Sequence, residues 1–285
     1  MKIDIKHLID QGFAEDLRNK GDLTSNFTID PNQETFFKIS NRQELVICGA
    51  NFITDIFNDF FEKLDIKKKP CLETHHHDGD FLPKNSTIIS GNGNIRGILA
   101  AERLALNLLQ HLSAISTKVY YFNKEIAPNS KTKILDTRKT IPGLRNLQKY
   151  AVKIGGGKNH RIGLFDGILI KDNHIAACGS VKNAILQVRE NLQKQNLQMP
   201  IEIECDNLNQ VKEAVLAKAD IILLDNMDLE QIKEAQEIIQ NSAKIEVSGN
   251  VTIDKIRKIS ELNVDFISIG ELTHSVNAVD IGLDF

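Results

Sequence analysis

Two cations, Arg138 and Lys139, follow a short apolar run in the stretch KILDTRKTIPGLR (133–145). Between Asp136 and His174 the chain has eight lysines and arginines against three aspartates, a local charge of +5 in a protein of net charge −3. Positive charge concentrated in one segment of an acidic protein favours a local anion site over the alternative, a solvated basic surface. Because arginine grips planar oxyanions with a two-pronged fork, a substrate with several carboxylates or phosphates is expected.

Residues suited to other chemistry end the later strand-like segments. Glu204 and Asp225 are carboxylates among cations. They could hold a divalent metal, stabilise a developing positive charge, or pair with the neighbouring arginine and lysine side chains. The tripeptide SGN (248–250) and Gly270 end the last two segments. Backbone amides at such glycine turns bind phosphate well, although the same glycines also suit tight turns.

The elements that must position these residues alternate along the second half of the chain. Six apolar runs predict strands: KILDT (133–137), GILIKD (167–172), IEIEC (201–205), DIILLDN (220–226), KIEVSG (244–249) and DFISIG (265–270). Helical apolar spacing between them predicts βαβ units and a parallel sheet. In a closed parallel barrel the C-terminal strand ends meet at one mouth, which would bring these polar residues together. An open doubly wound sheet is the structural alternative.

The first hundred residues have a different character. AEDLRNKGDLTSNFT (14–28) is polar and is expected to form turns. The segment 36–61 predicts strands followed by a helix, STIISGNGNIRG (86–97) predicts a hairpin, and 100–126 has helical spacing. These patterns predict a smaller α+β domain up to about residue 107, with the long helix leading into the barrel.

Composition limits the class of protein. The 285 residues, 41% apolar and 26% charged, are typical of a soluble globular chain. We expect a cytoplasmic protein, because no signal peptide or bilayer-length apolar run is visible and the four cysteines are scattered singly. The acidic net charge argues against a protein that coats nucleic acid.

Three patterns resemble sites but favour simpler interpretations. Three consecutive histidines, 75–77, cannot all point one way, so a polar surface loop is expected there rather than a metal cluster. GNGNIRG (91–97) lacks the spacing of the dinucleotide fingerprint, and GGGKN (155–159) lacks the Ser or Thr of a nucleotide P-loop. Both glycine segments are interpreted as turns.

The block DTRKTIPGLRNLQKYAVKIGGGKNHRIGLFDGILIKDNHI (136–175) resembles the signature of the quinolinate phosphoribosyltransferases, the carboxylating nicotinate-nucleotide pyrophosphorylases. Further segments resemble the same family in the same order: AEDLRNKGDLTS (14–25), AERLALNLLQHLSAIST (101–117), EIECDNL (202–208), IILLDNM (221–227), EVSGNVT (246–252) and VDFISIGELTHSV (264–276). The resemblance therefore covers essentially the whole chain.

This resemblance implies a fold and a reaction. The fold would be an N-terminal α/β sandwich domain (1–107) and an incomplete, seven-stranded α/β barrel of the type II phosphoribosyltransferase kind (108–272), with the tail 273–285 packed back on the first domain. The reaction would convert quinolinate and phosphoribosyl pyrophosphate to nicotinate mononucleotide, pyrophosphate and CO2, with Mg²⁺, in NAD biosynthesis. A homodimer is implied in which Arg103 reaches the site of the neighbouring subunit, and larger assemblies are left open.

Residue roles are implied by the same resemblance. Lys139, Glu204 and Asp225 would be catalytic, and the two carboxylates would handle magnesium, directly or indirectly. The residues implied to bind the substrates are Arg103, Thr137, Arg138, Lys139, His160, Arg161, Lys171, Glu204, Asp225, Ser248, Gly249, Asn250, Gly270, Glu271 and Leu272. Asn250 stands where glycine is expected more often, and Glu271 stands where alanine is expected. Both positions belong to the loops that the resemblance implies for phosphate binding, and their effect there is left open.

Three other functions compete with this interpretation. One is a related phosphoribosyltransferase for nicotinate or another carboxylated ring, although a monocarboxylate would need fewer cations. A molybdenum-associated paralogue of the family is disfavoured by the intact set of Arg138, Lys139, His160, Arg161 and Lys171. A non-catalytic polyanion- or RNA-binding module is disfavoured because the basic segment has only two aromatic residues for base stacking.

Overall fold

Residues 3–285 are described by a computed structural model and divide into two compact units. Unit 1 comprises the chain up to Tyr120 together with Asn146–Gly156 and Ser275–Phe285, and unit 2 comprises Tyr121–Arg145 and Gly157–His274. The expected domain boundary at 107/108 lies inside one helix, Ile95–Lys124. Among the described residues, no helix is both long and apolar enough to cross a membrane.

Unit 1 is built on an antiparallel sheet. Its elements, numbered in chain order, are α1 (Lys6–Leu17), α2 (Leu23–Thr28), β1 (Glu34–Asn41), β2 (Leu45–Val46), α3 (Ala50–Lys63), β3 (Cys71–Thr74), β4 (Phe81–Leu82), β5 (Thr87–Asn94), most of α4 (Ile95–Lys124), α5 (Arg145–Ile154) and β12 (Ile281–Asp284). The sheet order is β12-β1-β5-β3, so the C-terminal tail supplies an edge strand. Phe57 of α3 stacks on Phe37 of β1 with ring centroids 5.5 Å apart, which anchors the helix to the sheet.

The prediction of a hairpin at 86–97 is wrong. The segment forms one continuous strand, β5, between β1 and β3, and α4 begins directly after it. Gly91 pairs with Phe37 on one side and Leu72 on the other. A Cβ at Gly91 would lie 2.5 Å from the Cys71 carbonyl oxygen. The glycine therefore marks a close approach of a neighbouring strand instead of a turn.

The polar segment 14–28, expected to form turns, is partly helical. It contains the end of α1 and all of α2. The Asp22 carboxylate accepts a hydrogen bond from the Ser25 backbone N–H (3.1 Å) and so caps α2. This N-cap outweighs the low intrinsic helix propensity of LTSNFT.

Unit 2 has the alternating βα order that the apolar pattern predicts. Its elements are β6 (Lys133–Leu135), β7 (Ile168–Ile170), α6 (Asp172–Cys178), α7 (Val181–Lys194), β8 (Ile201–Cys205), α8 (Leu208–Leu216), β9 (Ile221–Asp225), α9 (Leu229–Ile239), β10 (Lys244–Ser248), α10 (Ile253–Glu261), β11 (Phe266–Ser268) and α11 (Glu271–His274). The sheet order β6-β11-β10-β9-β8-β7 has parallel pairing at every interface.

The barrel is incomplete, and the structure defines six strands in its sheet where seven were expected. One isolated parallel bridge, Leu135↔Lys158, continues the pairing beyond β6. Lys158 follows three consecutive glycines (155–157), and glycine is a poor strand former. The seventh position therefore holds a single bridge instead of a ladder.

Candidate active site

A cavity of about 610 Å³ opens at the C-terminal strand ends of unit 2. It gathers most of the residues expected to bind substrates: Thr137, Arg138, Lys139, His160, Arg161, Lys171, Glu204, Asp225, Ser248, Gly249, Asn250, Gly270 and Glu271. Parallel strands place the residues after their C-terminal ends along one edge, which explains how segments more than a hundred residues apart in sequence converge here.

Four cations line the cavity, and we call Arg138, Lys139, Arg161 and Lys171 the cation rim. The buried Nε of Arg138 has no hydrogen-bond partner among the described residues. Burial and the neighbouring Arg138 charge lower the pKa of the Arg161 guanidinium. Burying like charges is unfavourable unless an anion compensates them. The rim therefore has the electrostatics of a site that receives an anion.

Main-chain contacts fix the base of Lys139 while its side chain stays exposed. Its N–H donates to Thr137 Oγ1 (3.0 Å), and its carbonyl accepts from Thr273 Oγ1 (2.7 Å). A Cβ at Gly270 would lie 2.9 Å from Lys139 Cδ, so the glycine leaves room for this side chain. The ammonium group is thus a mobile charge on a fixed backbone.

His160 is positioned by Asp136, a fully buried carboxylate that accepts the His160 backbone N–H (2.9 Å). The ring Nδ1 accepts the Arg161 N–H at 2.7 Å. The hydrogen-bond pattern therefore places the ring proton on Nε2, which faces the Glu202 carboxylate at 3.1–3.2 Å.

The loop after β10 turns sharply at the edge of the cavity. Gly249 has φ +89° and Asn250 φ +48°, both in the left-handed region. A Cβ at Gly249 would lie 2.3 Å from Asn226 Oδ1, so no other residue fits there. Asn250 Nδ2 donates to the same oxygen (3.0 Å). Asparagine tolerates this conformation better than other non-glycine residues, which explains how it replaces the expected glycine.

Comparison with known proteins shows the family to which the chain belongs. Residues 22–113 match the model of the quinolinate phosphoribosyl transferase N-terminal domain, and residues 115–284 match that of the C-terminal domain. The chain belongs to the quinolinate phosphoribosyltransferase family. The resemblance of the block 136–175 is thereby confirmed.

Individual relatives agree with this assignment over nearly the full length. A probable carboxylating nicotinate-nucleotide pyrophosphorylase of Bacillus subtilis is 39% identical, covering 99% of this chain and 93% of its own. The chloroplastic nicotinate-nucleotide pyrophosphorylase of Arabidopsis thaliana is 39% identical, covering 98% and 82%. The crystal structure of nicotinate-nucleotide pyrophosphorylase from Ehrlichia chaffeensis superposes with a TM-score of 0.92 at 44% identity, covering 100% and 99%. The expected fold class is confirmed.

Glu204 and Asp225 lie at the C-terminal ends of the neighbouring parallel strands β8 and β9, and both line the cavity. Glu204 is hydrogen-bonded to the Lys171 ammonium, and Asp225 Oδ2 accepts from Asn226 Nδ2 at 2.6 Å. Two carboxylates at the mouth of a cavity lined with cations are a donor set that Mg²⁺ can use, since proteins bind this ion through one or two carboxylates plus phosphate oxygens. The donor set therefore fits magnesium.

Two of the expected substrate-binding residues are not among those that line the cavity. Leu272 is fully buried in the first turn after Gly270, so it is a core residue, and its neighbour Glu271 is the one that lines the cavity. Arg103 belongs to unit 1, on α4, where its side chain is 60% exposed and lies 3.8 Å from Glu102.

Sequence reasoning missed Glu246, Ser268 and His274, which also line the cavity, and it assigned no role to Asp136. Glu246 could have been found, because residues 246 and 248 of a strand share a face. Because Ser248 was expected to face the site, Glu246, two positions earlier on the same strand, is expected to lie below Ser248 on the same face. Asp136 gave no such signal, since its role depends on a loop that folds back from Lys158.

Proposed function

We propose that the cavity of unit 2 is where this chain, as a member of its family, transfers the phosphoribosyl group of phosphoribosyl pyrophosphate to quinolinate. The ring nitrogen attacks C1 of the ribose, pyrophosphate leaves, and loss of CO2 gives nicotinate mononucleotide. The observation that carries this proposal is the convergence of the cation rim with the 248–250 loop on one cavity. A dicarboxylate and a sugar phosphate are the ligands that these two surfaces suit.

The rim would bind the two carboxylates of quinolinate. The unpartnered Arg138 Nε and the Arg161 guanidinium offer planar forks, while Lys171 adds a point charge. The mobile Lys139 would lie between quinolinate and the phosphoribosyl donor. Holding the ring nitrogen in line with C1 is a positioning task, and such positioning lowers the barrier by removing the entropy cost of encounter.

The acids and the loop would bind the donor. Positive charge builds at C1 as pyrophosphate leaves, and Glu204 and Asp225 would stabilise it while they contact the ribose hydroxyls. Backbone amides of Gly249 and Gly270 would hold the 5-phosphate. After transfer, the cationic ring accepts the electron pair of the departing carboxylate, so this chemistry needs no protein nucleophile.

Magnesium is the metal we propose for this site. It would supply charge neutralisation for the pyrophosphate leaving group. Glu204 and Asp225 would hold it, directly or through substrate oxygens, since carboxylates are hard ligands that suit Mg²⁺. Turnover that persists unchanged after chelation of divalent ions would refute this part of the proposal.

A homodimer is proposed in which Arg103 completes the site of the neighbouring subunit. Its exposure on α4 makes it available to a partner. Mixing inactive Arg103→Ala with inactive Lys139→Ala chains tests this. Each mixed dimer would contain one site with both native side chains. Random exchange makes about half of the dimers mixed, so about a quarter of all sites would be active. Activity that stays absent after subunit exchange would count against a shared site.

The cytoplasm is the compartment we propose. All four cysteines are free, and two of them, Cys48 and Cys205, are buried. Unpaired cysteines suit a reducing compartment. Fractionation of the source cells with an antibody to this chain checks the proposal, and recovery with a membrane or organelle fraction would contradict it.

The decisive experiment for the reaction is product formation with quinolinate and, in parallel, with nicotinate, each with phosphoribosyl pyrophosphate and Mg²⁺. We expect nicotinate mononucleotide and CO2 in the reaction with quinolinate and no product in the reaction with nicotinate. Lys139→Ala should abolish product, whereas Lys182→Ala, an exposed lysine on α7, should not. Turnover of nicotinate instead would keep the phosphoribosyl site and reject the dicarboxylate assignment of the rim.

A further inference from the structure

The side chain of Arg145 joins two loops at the mouth of the cavity. One is the loop after β6 (136–144), and the other is the loop before β7 (159–167). Arg145 Nε donates to the Thr140 hydroxyl oxygen (2.9 Å), and Arg145 Nη1 donates to the Ile162 carbonyl (3.1 Å). A guanidinium group is planar and rigid, so two hydrogen bonds from one such group hold their two acceptors at a fixed separation.

The two loops carry a large part of the surface that faces the substrates. The residues of these loops that line the cavity are Thr137, Arg138, Lys139, His160 and Arg161. Thr140 directly follows Lys139, and Ile162 directly follows Arg161. Arg145 itself is not one of the described residues that line the cavity. It therefore contacts the chain beside the rim cations without being part of the surface that they form.

Main-chain pairing gives little support to the separation of these loops. β6 pairs with β11 on one side, and among residues 3–285 its other side has one isolated bridge, between Leu135 and Lys158. A ladder of hydrogen bonds normally fixes how far apart the ends of neighbouring strands lie. Because the seventh position of the barrel holds only this bridge, the separation of the two loops depends on side chains such as Arg145.

The loop before β7 is closed by its own hydrogen bonds, so a contact at Ile162 also restrains Arg161. The Asp166 carboxylate accepts the backbone N–H groups of Ile162 and Gly163, each at 2.8 Å. Arg161 Nη1 donates to the Gly167 carbonyl at 3.0 Å. A change in the position of Ile162 would therefore be transmitted to the Arg161 side chain.

The place of Arg145 in the chain also indicates a role outside its helix. Arg145 is the first residue of α5. The N-terminus of a helix has a partial positive charge, so a cation in the first turn is unfavourable for the helix. The helix therefore gives no reason for an arginine at this position, whereas the contacts with Thr140 and Ile162 do.

We infer that Arg145 is a positioning residue that sets the spacing between the rim cations of the 136–144 loop and the rim cation of the 159–167 loop. The two carboxylates of quinolinate are a fixed distance apart on a rigid ring, so a rim that binds both needs a fixed spacing of its own. The inference rests on the proposed function, because it assigns this spacing to that substrate. The donor should depend less on Arg145, since the 248–250 loop and Gly270 follow other strands.

Steady-state kinetics of Arg145→Met test this inference, because methionine is a good helix former that removes both hydrogen bonds. The kcat/KM for quinolinate should fall by about tenfold to a hundredfold, as expected when binding groups are misplaced by about 1 Å. The KM for phosphoribosyl pyrophosphate should change by less than about threefold. Arg189→Met should follow wild type and is the matched control, since Arg189 is a half-buried arginine on α7 that also donates to a main-chain carbonyl, that of Lys218 (2.6 Å).

Arg145→Lys separates the effect of spacing from that of charge. Lysine keeps the positive charge but has a single ammonium group on a flexible stem, so it cannot hold both acceptors in a fixed geometry. This variant should lose kcat/KM for quinolinate much as Arg145→Met does. Recovery of wild-type kinetics in Arg145→Lys would overturn the inference, because Arg145 would then act through its charge alone.

Hydrogen exchange provides a readout that needs no substrate. Arg145→Met should speed exchange of the backbone amides of Thr140 and Ile162, which are hydrogen-bonded inside their own loops, and leave exchange in α9 unchanged. Thr140→Val removes one acceptor without touching α5 and should give the same changes in smaller size. If both loops exchange faster but wild type does not use quinolinate, the proposed function fails while the positioning role of Arg145 stands.

Two further results would overturn the inference. One is unchanged exchange in either loop of Arg145→Met, since this would mean that Arg145 does not hold the loops together. The other is a kcat/KM for quinolinate within about threefold of wild type in an Arg145→Met variant whose loops exchange faster, since the spacing of the loops would then not matter to the substrate.

Discussion

The charged groups of the cation rim and those of the buried cluster (His160, Glu202 and Glu246) in unit 2 differ in how far solvent reaches them. Rim residues follow the strand ends, and the side chains of Lys139 and Lys171 have wide access to solvent. Members of the buried cluster lie deeper, and Glu202 and Glu246 are inside the strands themselves. Solvent screens the two lysines of the rim, whereas the interior screens the cluster poorly.

This difference separates the two tasks of the site. A screened, partly mobile rim can exchange hydration water for substrate oxyanions, so its charges act mainly in recognition. A buried cluster cannot exchange partners in this way, so its energetics are settled by where its protons reside. Changes in the rim should therefore alter affinity and rate, and changes in the cluster should alter pH dependence.

Among the variants that separate the rim from the cluster, Lys171→Met in the rim should have the largest effect. Lys171 contacts the Glu204 carboxylate, which is 14% exposed, so the variant loses one of the cations proposed to bind quinolinate and leaves Glu204 without this partner. Loss of a desolvated ion pair between Lys171 and a quinolinate carboxylate would cost roughly 2–5 kcal/mol, which corresponds to a fall in kcat/KM for quinolinate of about 30-fold to several thousandfold.

Steady-state kinetics with quinolinate as the varied substrate measures this loss, with Lys182→Met as the control. The melting temperature should change little, because Lys171 is itself 43% exposed. A loss below about threefold would show that Lys171 serves Glu204 instead of the substrate, and the contrast between rim and cluster would weaken.

The sequence predicted the residues of the rim better than the buried residues beneath them. The rim was predictable because cations after parallel strands meet at one mouth, a consequence of topology alone. Glu246 was missed although it shares a strand face with Ser248; what the sequence could not show is how deeply other elements bury that face. In unit 1, the glycines of β5 were misread as a turn, since their cause is the Cys71 carbonyl of a neighbouring strand. Contacts between distant segments were thus what the sequence could not show.

An intermediate effect, on stability, is expected from Glu246→Gln. The pKa of Glu246 is raised from 4.5 to about 8 in the folded protein. The folded state therefore binds this proton more tightly than the unfolded state, and the stability it contributes is full below about pH 4.5 and is lost progressively as pH rises to about 8. Glutamine stays neutral throughout and avoids that loss.

Thermal melts of both proteins between about pH 5 and about pH 9 measure this effect. The variant should gain on wild type as pH rises, by roughly 2–4 °C for each kcal/mol, and the gain should level off above about pH 8. A constant difference across this range would mean that Glu246 is ionised throughout, and the contrast between a screened rim and a protonated cluster would break.

The smallest effect is expected from Asn250→Gly in the 248–250 loop. Glycine adopts the φ of +48° at least as readily as asparagine, so the loop keeps its shape. The variant loses one exposed hydrogen bond, from Asn250 Nδ2 to Asn226 Oδ1, while Asn226 still holds Asp225. An exposed bond of this kind is worth about 0.5–1.5 kcal/mol, so KM for phosphoribosyl pyrophosphate should rise by about two- to tenfold.

The KM for quinolinate should stay unchanged in Asn250→Gly, because among residues 3–285 the side chain that is removed hydrogen-bonds to Asn226 and to none of the rim cations. Measuring the two KM values separately therefore tests whether the loop and the rim bind different substrates. If quinolinate binding weakened as much as donor binding, the Asn250–Asn226–Asp225 chain would be transmitting the loop geometry to the dicarboxylate pocket. The rim would then depend on the loop, and the screened surface of the site would have to be treated as one coupled unit set against the buried cluster.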